Sequence, residues 1–270
     1  MAAAIRKAYA DTSAGQIHYR YVEGPGTPIV MLHRAPASSV SFVPMMNLWA
    51  GERGLYAFDI PGFGQSFAPG GDPSAADYGR WILEAIDHIG LGSFHMFLHH
   101  TGTHFGTEIA ALNPGRVASL ALNGIAYLTV AERASHAAAV RAGAVPDEKG
   151  HYMAGQFERI AGMMSVFEAG LYHEEMIGSF QSHFSLHKSF AAIWRQDYPA
   201  VLKRVACPIL ATCAENEFWR FCFDRVFMDT PRARRVLLGP AKFFTPELDA
   251  AAVVDALRAF LTDVESGSLR

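Results

Sequence analysis

Twelve histidines and a few well-placed carboxylates carry most of the chemistry open to this 270-residue chain. Two of the histidines are adjacent, in Leu98-His99-His100-Thr101-Gly102, and a third precedes an arginine in His33-Arg34. An imidazole ordinarily titrates near neutral pH, so it serves as base or acid without extreme tuning. Such a ring could take a proton from a substrate hydroxyl, a carbon acid or a water; covalent attack by it is a less frequent choice. Arg34 could clamp a carboxylate or a developing oxyanion, or pair with a nearby acid. Further along, Glu215 and Glu217 offer carboxylates within Ala214-Glu215-Asn216-Glu217. The last histidine is His187, and the final 83 residues contain no imidazole at all.

A metal site is the obvious rival use of these rings. His33, His99, His100 and His104 supply imidazoles, and His183 with His187 has the i, i+4 spacing that suits a zinc or iron pair. Adjacent strand residues point to opposite faces, however, so His99 and His100 should not share an ion. The stretch around His183 and His187 is Phe-rich and fits a cavity lining equally well, so no metal is expected. The three cysteines, Cys207, Cys213 and Cys222, form no zinc-type C-x-x-C pair and read as buried, reduced thiols of a cytoplasmic protein. A net charge of −3 provides no basic field for nucleic acid or an anionic membrane. Met1 to Ala10 lacks a long apolar stretch, so a secretory leader is not expected. No P-loop or G-x-G-x-x-G follows the first apolar strand, so no nucleotide cofactor is implied. The expected partner is a small-molecule substrate, with a homodimer left open.

The elements that must position these groups alternate. Gln16 to Val22 alternates polar and apolar residues and predicts an antiparallel edge strand. Pro28–Leu32, Leu55–Phe58, Phe94–Leu98 and Val117–Leu122 are short apolar runs, as buried parallel strands should be. Helical spacing over Ala75–Ile89, and over Gly102–Leu112 up to Asn113-Pro114, separates them. From Ala126 to about Leu202 the pattern is helical throughout. Alternation resumes with a strand at Pro208–Cys213, a helix near Phe218–Phe227, a strand at Arg235–Leu238 and a closing helix from Pro246 to Leu261. The order predicts an α/β fold with a mostly parallel sheet, split as core 1–125, helical lid 126–202 and core 203–270. Phe157, Met163, Met164, Phe167, Phe180, Phe184, Phe190 and Trp194 give the lid its apolar inventory. Most are expected to be core, and a minority to face a cleft for a small hydrophobic or aromatic substrate.

Several segments resemble the α/β-hydrolase superfamily in order and spacing. Met31-Leu32-His33-Arg34 stands where that family has strand-His-Gly, the oxyanion loop. Asp59-Ile60-Pro61-Gly62-Phe63-Gly64-Gln65-Ser66 is similar to its D-x-P-G-x-G-x-S loop, and Pro114-Gly115-Arg116-Val117 to the P-x-R-V after the elbow helix. Cys207-Pro208-Ile209-Leu210 resembles the C-P-T-L before the penultimate strand. The resemblance implies an α/β-hydrolase fold of about eight strands with a lid, and a nucleophile elbow within Phe97–Gly102.

Counting back from Pro114 puts His100 at the nucleophile position and Gly102 on the second glycine, where a side chain would collide with the turn. The register one residue later, with Thr101 as nucleophile, would put His99 and Thr103 on both glycine positions. The family's acid position after the penultimate strand falls on Glu217, or less well Glu215. The alternative acid position is Asn123, which cannot ionise. The family's C-terminal base position falls on Lys242 or Phe243, depending on loop length.

A Ser-His-acid relay is therefore not expected. The expected mechanism is acid–base catalysis by His100 with Glu217, supported by His33, Arg34 and backbone N–H groups. That would suit a lyase, decarboxylase, isomerase or base-assisted hydrolase. Thr101, His104, His183 and Trp194 are expected to line the substrate pocket, while His99 packs beneath the turn and Asp59 and Ser66 hold their loop. The rival class is a binding protein that keeps the pocket and has lost turnover.

Overall fold

The computed structural model describes residues 4–143, 145–164 and 167–269. The chain opens with β1 (Arg6–Asp11) and β2 (Gln16–Val22), followed by β3 (Ile29–Leu32), α1 (Val43–Trp49) and β4 (Leu55–Phe58). Next come α2 (Ala75–His88), β5 (Phe94–His99), α3 (Thr101–Leu112) and β6 (Val117–Asn123). Five helices then run in succession: α4 (Val130–Ala139), α5 (His151–Met163), α6 (Ala169–Gln181), α7 (Leu186–Arg195) and α8 (Tyr198–Leu202). The chain closes with β7 (Ile209–Ala214), α9 (Arg220–Phe223), α10 (Val226–Asp229), β8 (Arg234–Leu238), α11 (Thr245–Leu248) and α12 (Ala250–Glu265).

The eight strands form one sheet in the order β1-β2-β4-β3-β5-β6-β7-β8. β2 runs antiparallel to both neighbours, and every pairing from β4 across to β8 is parallel. All six residues of β5 are buried, as a central parallel strand covered on both faces requires. One face packs against α2 and α3 through a core that includes Phe94, Leu98, Tyr78, Ile82 and Phe105. The other packs against α1 and α12 through Phe42, Phe97, Val253 and Phe260.

Register decides what meets at the end of the sheet. Leu32 pairs with Leu98, and Leu98 with Leu122, so the segments leaving β3, β5 and β6 emerge side by side. His33, His100 and Asn123 are thereby neighbours despite their separation in sequence. The Asp59 loop joins them because Phe58 is level with Leu32.

Several boundaries differ from the sequence expectation. β1 and α1 were not anticipated; β1 is half charged and mostly exposed, so it lacks the apolar run that marks the inner strands. The helix expected over Phe218–Phe227 is two single turns, and the closing helix divides at Asp249. The helical stretch has less core than expected: α4 buries no residue and α5 only Ile160, while Phe157, Phe167 and Phe184 are exposed. No helix among the described residues is long and apolar enough to cross a membrane. Burial pushes the thiols of Cys207 and Cys213 up to about 12 and that of Cys222 to about 11, which leaves all three protonated and unreactive.

Candidate active site

β5 ends at His99 and α3 begins at Thr101, so His100 alone makes the turn. Its backbone is left-handed, with φ 46° and ψ −111°, a conformation non-glycine residues adopt rarely and at a cost. The turn is held by His100 N–H donating to the Asn123 carbonyl (2.9 Å) and by the His100 carbonyl accepting from Thr103 N–H (2.8 Å). Gly102 shows why the turn can be this tight. A Cβ there would lie 2.8 Å from the Leu32 carbonyl carbon and collide with its oxygen. The apex is thus His100 and not Thr101, whose hydroxyl instead accepts from Ala35 N–H at 3.2 Å.

The His100 ring is fixed by a carboxylate. Glu217, in the turn after β7, places Oε2 3.1 Å from His100 Nε2, and its Oε1 accepts from Phe218 N–H at 2.7 Å. Both groups are buried. A carboxylate can only accept, so Nε2 must donate and the neutral ring carries its lone pair on Nδ1. Among the described residues Nδ1 has no protein partner, and His100 lines the main cavity. Gly124 (φ +68°) makes the room, since a Cβ there would lie 2.8 Å from His100 Cδ2 and closer still to Nε2. The Phe243 ring packs against the imidazole with centroids 5.2 Å apart. Phe243, rather than Lys242, therefore fills the space beside the elbow. Glu215 is exposed and contributes no hydrogen bond from its side chain.

Other expected participants turn out to be structural. His33 is fully buried, with Nδ1–H donating to the Arg34 carbonyl (2.8 Å) and Nε2 accepting from Ile60 N–H (2.9 Å). Burial lowers its pKa, against the opposing pull of Asp59, so the ring stays neutral and has no nitrogen left for a substrate. It ties the β3 loop to the β4 loop. Arg34 makes a bidentate pair with Glu175 of α6 (2.9 and 2.5 Å), stacks on Phe244 and reaches Glu247 at 3.4 Å. An anion clamp was one expectation for this arginine, but its charge is already spent on fastening α6 to the core. The Ala35 N–H, a natural oxyanion donor, is taken by Thr101.

Asp59 holds its loop as expected. It accepts from His18 (2.8 Å), Ser39 N–H (2.7 Å) and Gln65 N–H (2.9 Å), while Ser66 donates to its carbonyl (2.7 Å). Burial favours its neutral form, but the hydrogen bonds from His18, Ser39 N–H and Gln65 N–H outweigh that and hold its pKa below the usual carboxylate value. His99 is completely buried under the turn, neither nitrogen has a partner among the described residues, and burial drives its pKa well down.

A cavity of about 1280 Å³ opens over the elbow. Its floor is His100, Thr101 and His104, and its walls come mainly from α4, α5 and α7 and the loops beside them. His104 Nδ1–H donates to Gln196 at 2.7 Å and burial lowers its pKa to about 4, so the ring is neutral, with Nε2 buried and unpartnered among the described residues. Trp194 stacks on His136 (4.9 Å), and His183 sits between Tyr152 and Phe184. Thr101, His104, His183 and Trp194 therefore all border this space. Among the described residues no three His, Cys, Asp or Glu side chains converge on a point that could hold a metal. Gln196, Gly124 and Arg159 were not singled out from the sequence. Only Gly124, immediately after the β6 strand, had a signal that could have found it.

A sequence model of the α/β hydrolase fold family matches residues 27–215, and the chain belongs to that family. A segment of 117 residues is 30% identical to the (E)-2-((N-methylformamido)methylene)succinate hydrolase of Acinetobacter baylyi, covering 43% of this chain and 44% of that protein. Another of 130 residues is 36% identical to a haloalkane dehalogenase of Mycolicibacterium paratuberculosis, covering 46% of this chain and 42% of the relative. The matched segments thus span less than half of either relative. Among solved structures, E-2-(acetamidomethylene)succinate hydrolase superposes with a TM-score of 0.79 at 18% identity, over 96% of this chain and 100% of that one. That likeness speaks for the fold.

Proposed function

We propose that this family member is an enzyme in which a His100–Glu217 dyad performs acid–base catalysis on a small, largely apolar organic molecule. The observation that carries the reading is the 3.1 Å contact between Glu217 and an imidazole on the elbow itself. With Nε2–H donating to Glu217, Nδ1 is the basic atom and borders the cavity. It would take a proton from a substrate C–H, a hydroxyl or a water. Glu217 would stabilise the imidazolium until the proton is returned to the product. This logic covers isomerisation, carbon–carbon lyase chemistry, decarboxylation and base-assisted hydrolysis, and none of its proton transfers needs a cofactor. Phe243, packed on the ring where the family's C-terminal base would stand, supports this reading over an acyl-enzyme relay, since the neighbouring imidazole of His99 (4.7 Å) is buried beneath the turn. Relatives named as hydrolases and dehalogenases support small organic substrates, as do Phe190, Trp194, Phe218 and Trp219 on the cavity wall. The helices from α4 to α8 would act as the lid of a cytoplasmic enzyme.

The test is turnover across a panel of small esters, β-keto acids and diketones. His100→Ala should lower kcat by about 10²–10⁴-fold, the usual worth of a positioned base. His100→Asn should be nearly as damaging, because an amide keeps the polarity but cannot take up the proton. A ligand that binds wild type and His100→Ala equally, with turnover in neither, would favour a binding protein on the same scaffold.

A further inference from the structure

The cavity wall is unevenly charged. Among the described residues it carries Arg34, Arg141, Arg159 and Lys242 but a single acidic side chain, Asp147. Arg34 is neutralised by Glu175, and Arg141, an exposed residue, folds back on the carbonyls of Ala138 and Val140 at the end of α4. Asp147 is committed to the start of α5, accepting from the N–H groups of Lys149, His151 and Tyr152. That leaves Arg159 and Lys242, and neither has a carboxylate within 4 Å among the described residues.

Arg159 stands on the face of α5 that borders the cavity, in line with Tyr152, Gln156 and Met163 at helical spacing. Among the described residues the hydrogen-bond partners of its guanidinium are all neutral, Gln156 Oε1 (2.8 Å), Ser179 Oγ (3.4 Å) and Met163 Sδ (3.6 Å), while Glu175 and Arg34 act on it only at longer range. Lys242 reaches the next residue along, its Nζ lying 3.4 Å from the Met164 carbonyl. The two cations thus lie beside consecutive residues, Met163 and Met164, and both line the cavity. Lys242 is also a non-glycine residue with φ 48°, pinned by its N–H donating to Asn216 Oδ1 at 2.8 Å. Strain of this kind is kept where the surrounding structure over-determines a position. Lys242 directly precedes Phe243, whose ring packs on His100, so the two positions are tied through one short loop.

We propose that Arg159, with Lys242, is the anion anchor of this cavity, and that the substrate is an aryl- or alkyl-bearing carboxylate. The planar guanidinium fork matches a carboxylate and discriminates against a neutral isostere. The apolar wall takes the hydrocarbon part, and the reacting atom falls beside His100. This deepens the reading of the same site given above and rests on it for the location of the chemistry.

The test separates the two ideas by measuring binding rather than turnover. Phenylacetate, 3-phenylpropanoate and 4-phenylbutanoate, with their primary amides, are titrated calorimetrically into wild type, Arg159→Met, Lys242→Met and His100→Ala. At least one acid should bind wild type about tenfold or more tightly than its amide, as one charged hydrogen bond implies. Arg159→Met should lose that preference while keeping amide affinity and thermal midpoint, and Lys242→Met should lose part of it. His100→Ala should keep it. Acids and amides binding alike in wild type, no acid binding at all, or an undiminished preference in Arg159→Met would each overturn the anchor without touching the dyad. Undiminished turnover in His100→Ala would sink the dyad with the anchor still standing.

Discussion

Glu247 to glutamine is the perturbation whose consequence can be worked furthest from this structure. Glu247 lies beside the Arg34–Glu175 pair, its side chain only 9% exposed, with Oε1 at 3.4 Å from Arg34 and Oε2 without a partner among the described residues. Burial raises its pKa from 4.5 to about 7, with Glu175 adding to the rise and Arg34 opposing it. The folded state therefore holds a proton that the unfolded chain releases near 4.5. Between these two values the folded state binds more protons, so stability falls as the pH rises through the window. A carboxyl titrating at about 7 folded and 4.5 unfolded costs about 3 kcal/mol once fully ionised.

Glutamine mimics the protonated acid at every pH. Glu247→Gln should match wild type below about pH 4.5 and exceed it by up to about 3 kcal/mol at pH 8. In a domain of this size that is a rise of about 5 °C in the thermal midpoint. Urea unfolding from pH 4 to 8, with both proteins compared at each pH, reads it out. Parallel stability–pH curves for the two proteins would refute the reasoning, because the difference must grow with pH.

Two other substitutions test separate parts of the account. Glu175→Gln strips the Arg34 guanidinium of its main partner and should cost about 3 kcal/mol in chemical denaturation, the lower range for breaking a buried ion pair; a cost under 1 kcal/mol would mean the pair does not fasten α6. Gly124→Ala puts a methyl group into His100 at a left-handed backbone position, so kcat should fall by about tenfold or more while stability drops by only about 1–2 kcal/mol. Unchanged turnover in that variant would show that the contact between Glu217 and His100 is dispensable.

What the sequence reveals depends on how local each signal is. The inner strands are continuous apolar runs, and the loops between them carry short fixed patterns, so sheet and elbow could be placed to within a residue or two. The assignment of His100 to the turn apex rests on Gly102, whose missing side chain is a local requirement. Glu217 was recognisable because the family's acid position falls in the short turn after the penultimate strand. The roles of His33 and Arg34 were not, since they depend on partners far along the chain. Ile60 N–H is 27 residues from His33, and Glu175 is 141 from Arg34. Spacing alone cannot show that a nitrogen or a charge is already satisfied. Arg159 escaped notice for the opposite reason: an arginine on a polar helix reads as solvated surface, and only the cavity behind α5 gives it meaning. The choice between Lys242 and Phe243 needed the loop geometry, which the left-handed Lys242 settles by placing the phenyl ring beside His100.

The central claim is that a neutral imidazole at position 100 is the working base, and chemical rescue tests it most directly. Turnover of a substrate found in the panel is measured for wild type and His100→Ala with increasing imidazole, at several pH values. His100→Ala should lose about 10²–10⁴-fold in kcat. Added imidazole should restore part of it, in proportion to the free-base form and with saturation as the vacated space fills. Full activity in His100→Ala without imidazole would contradict the claim outright.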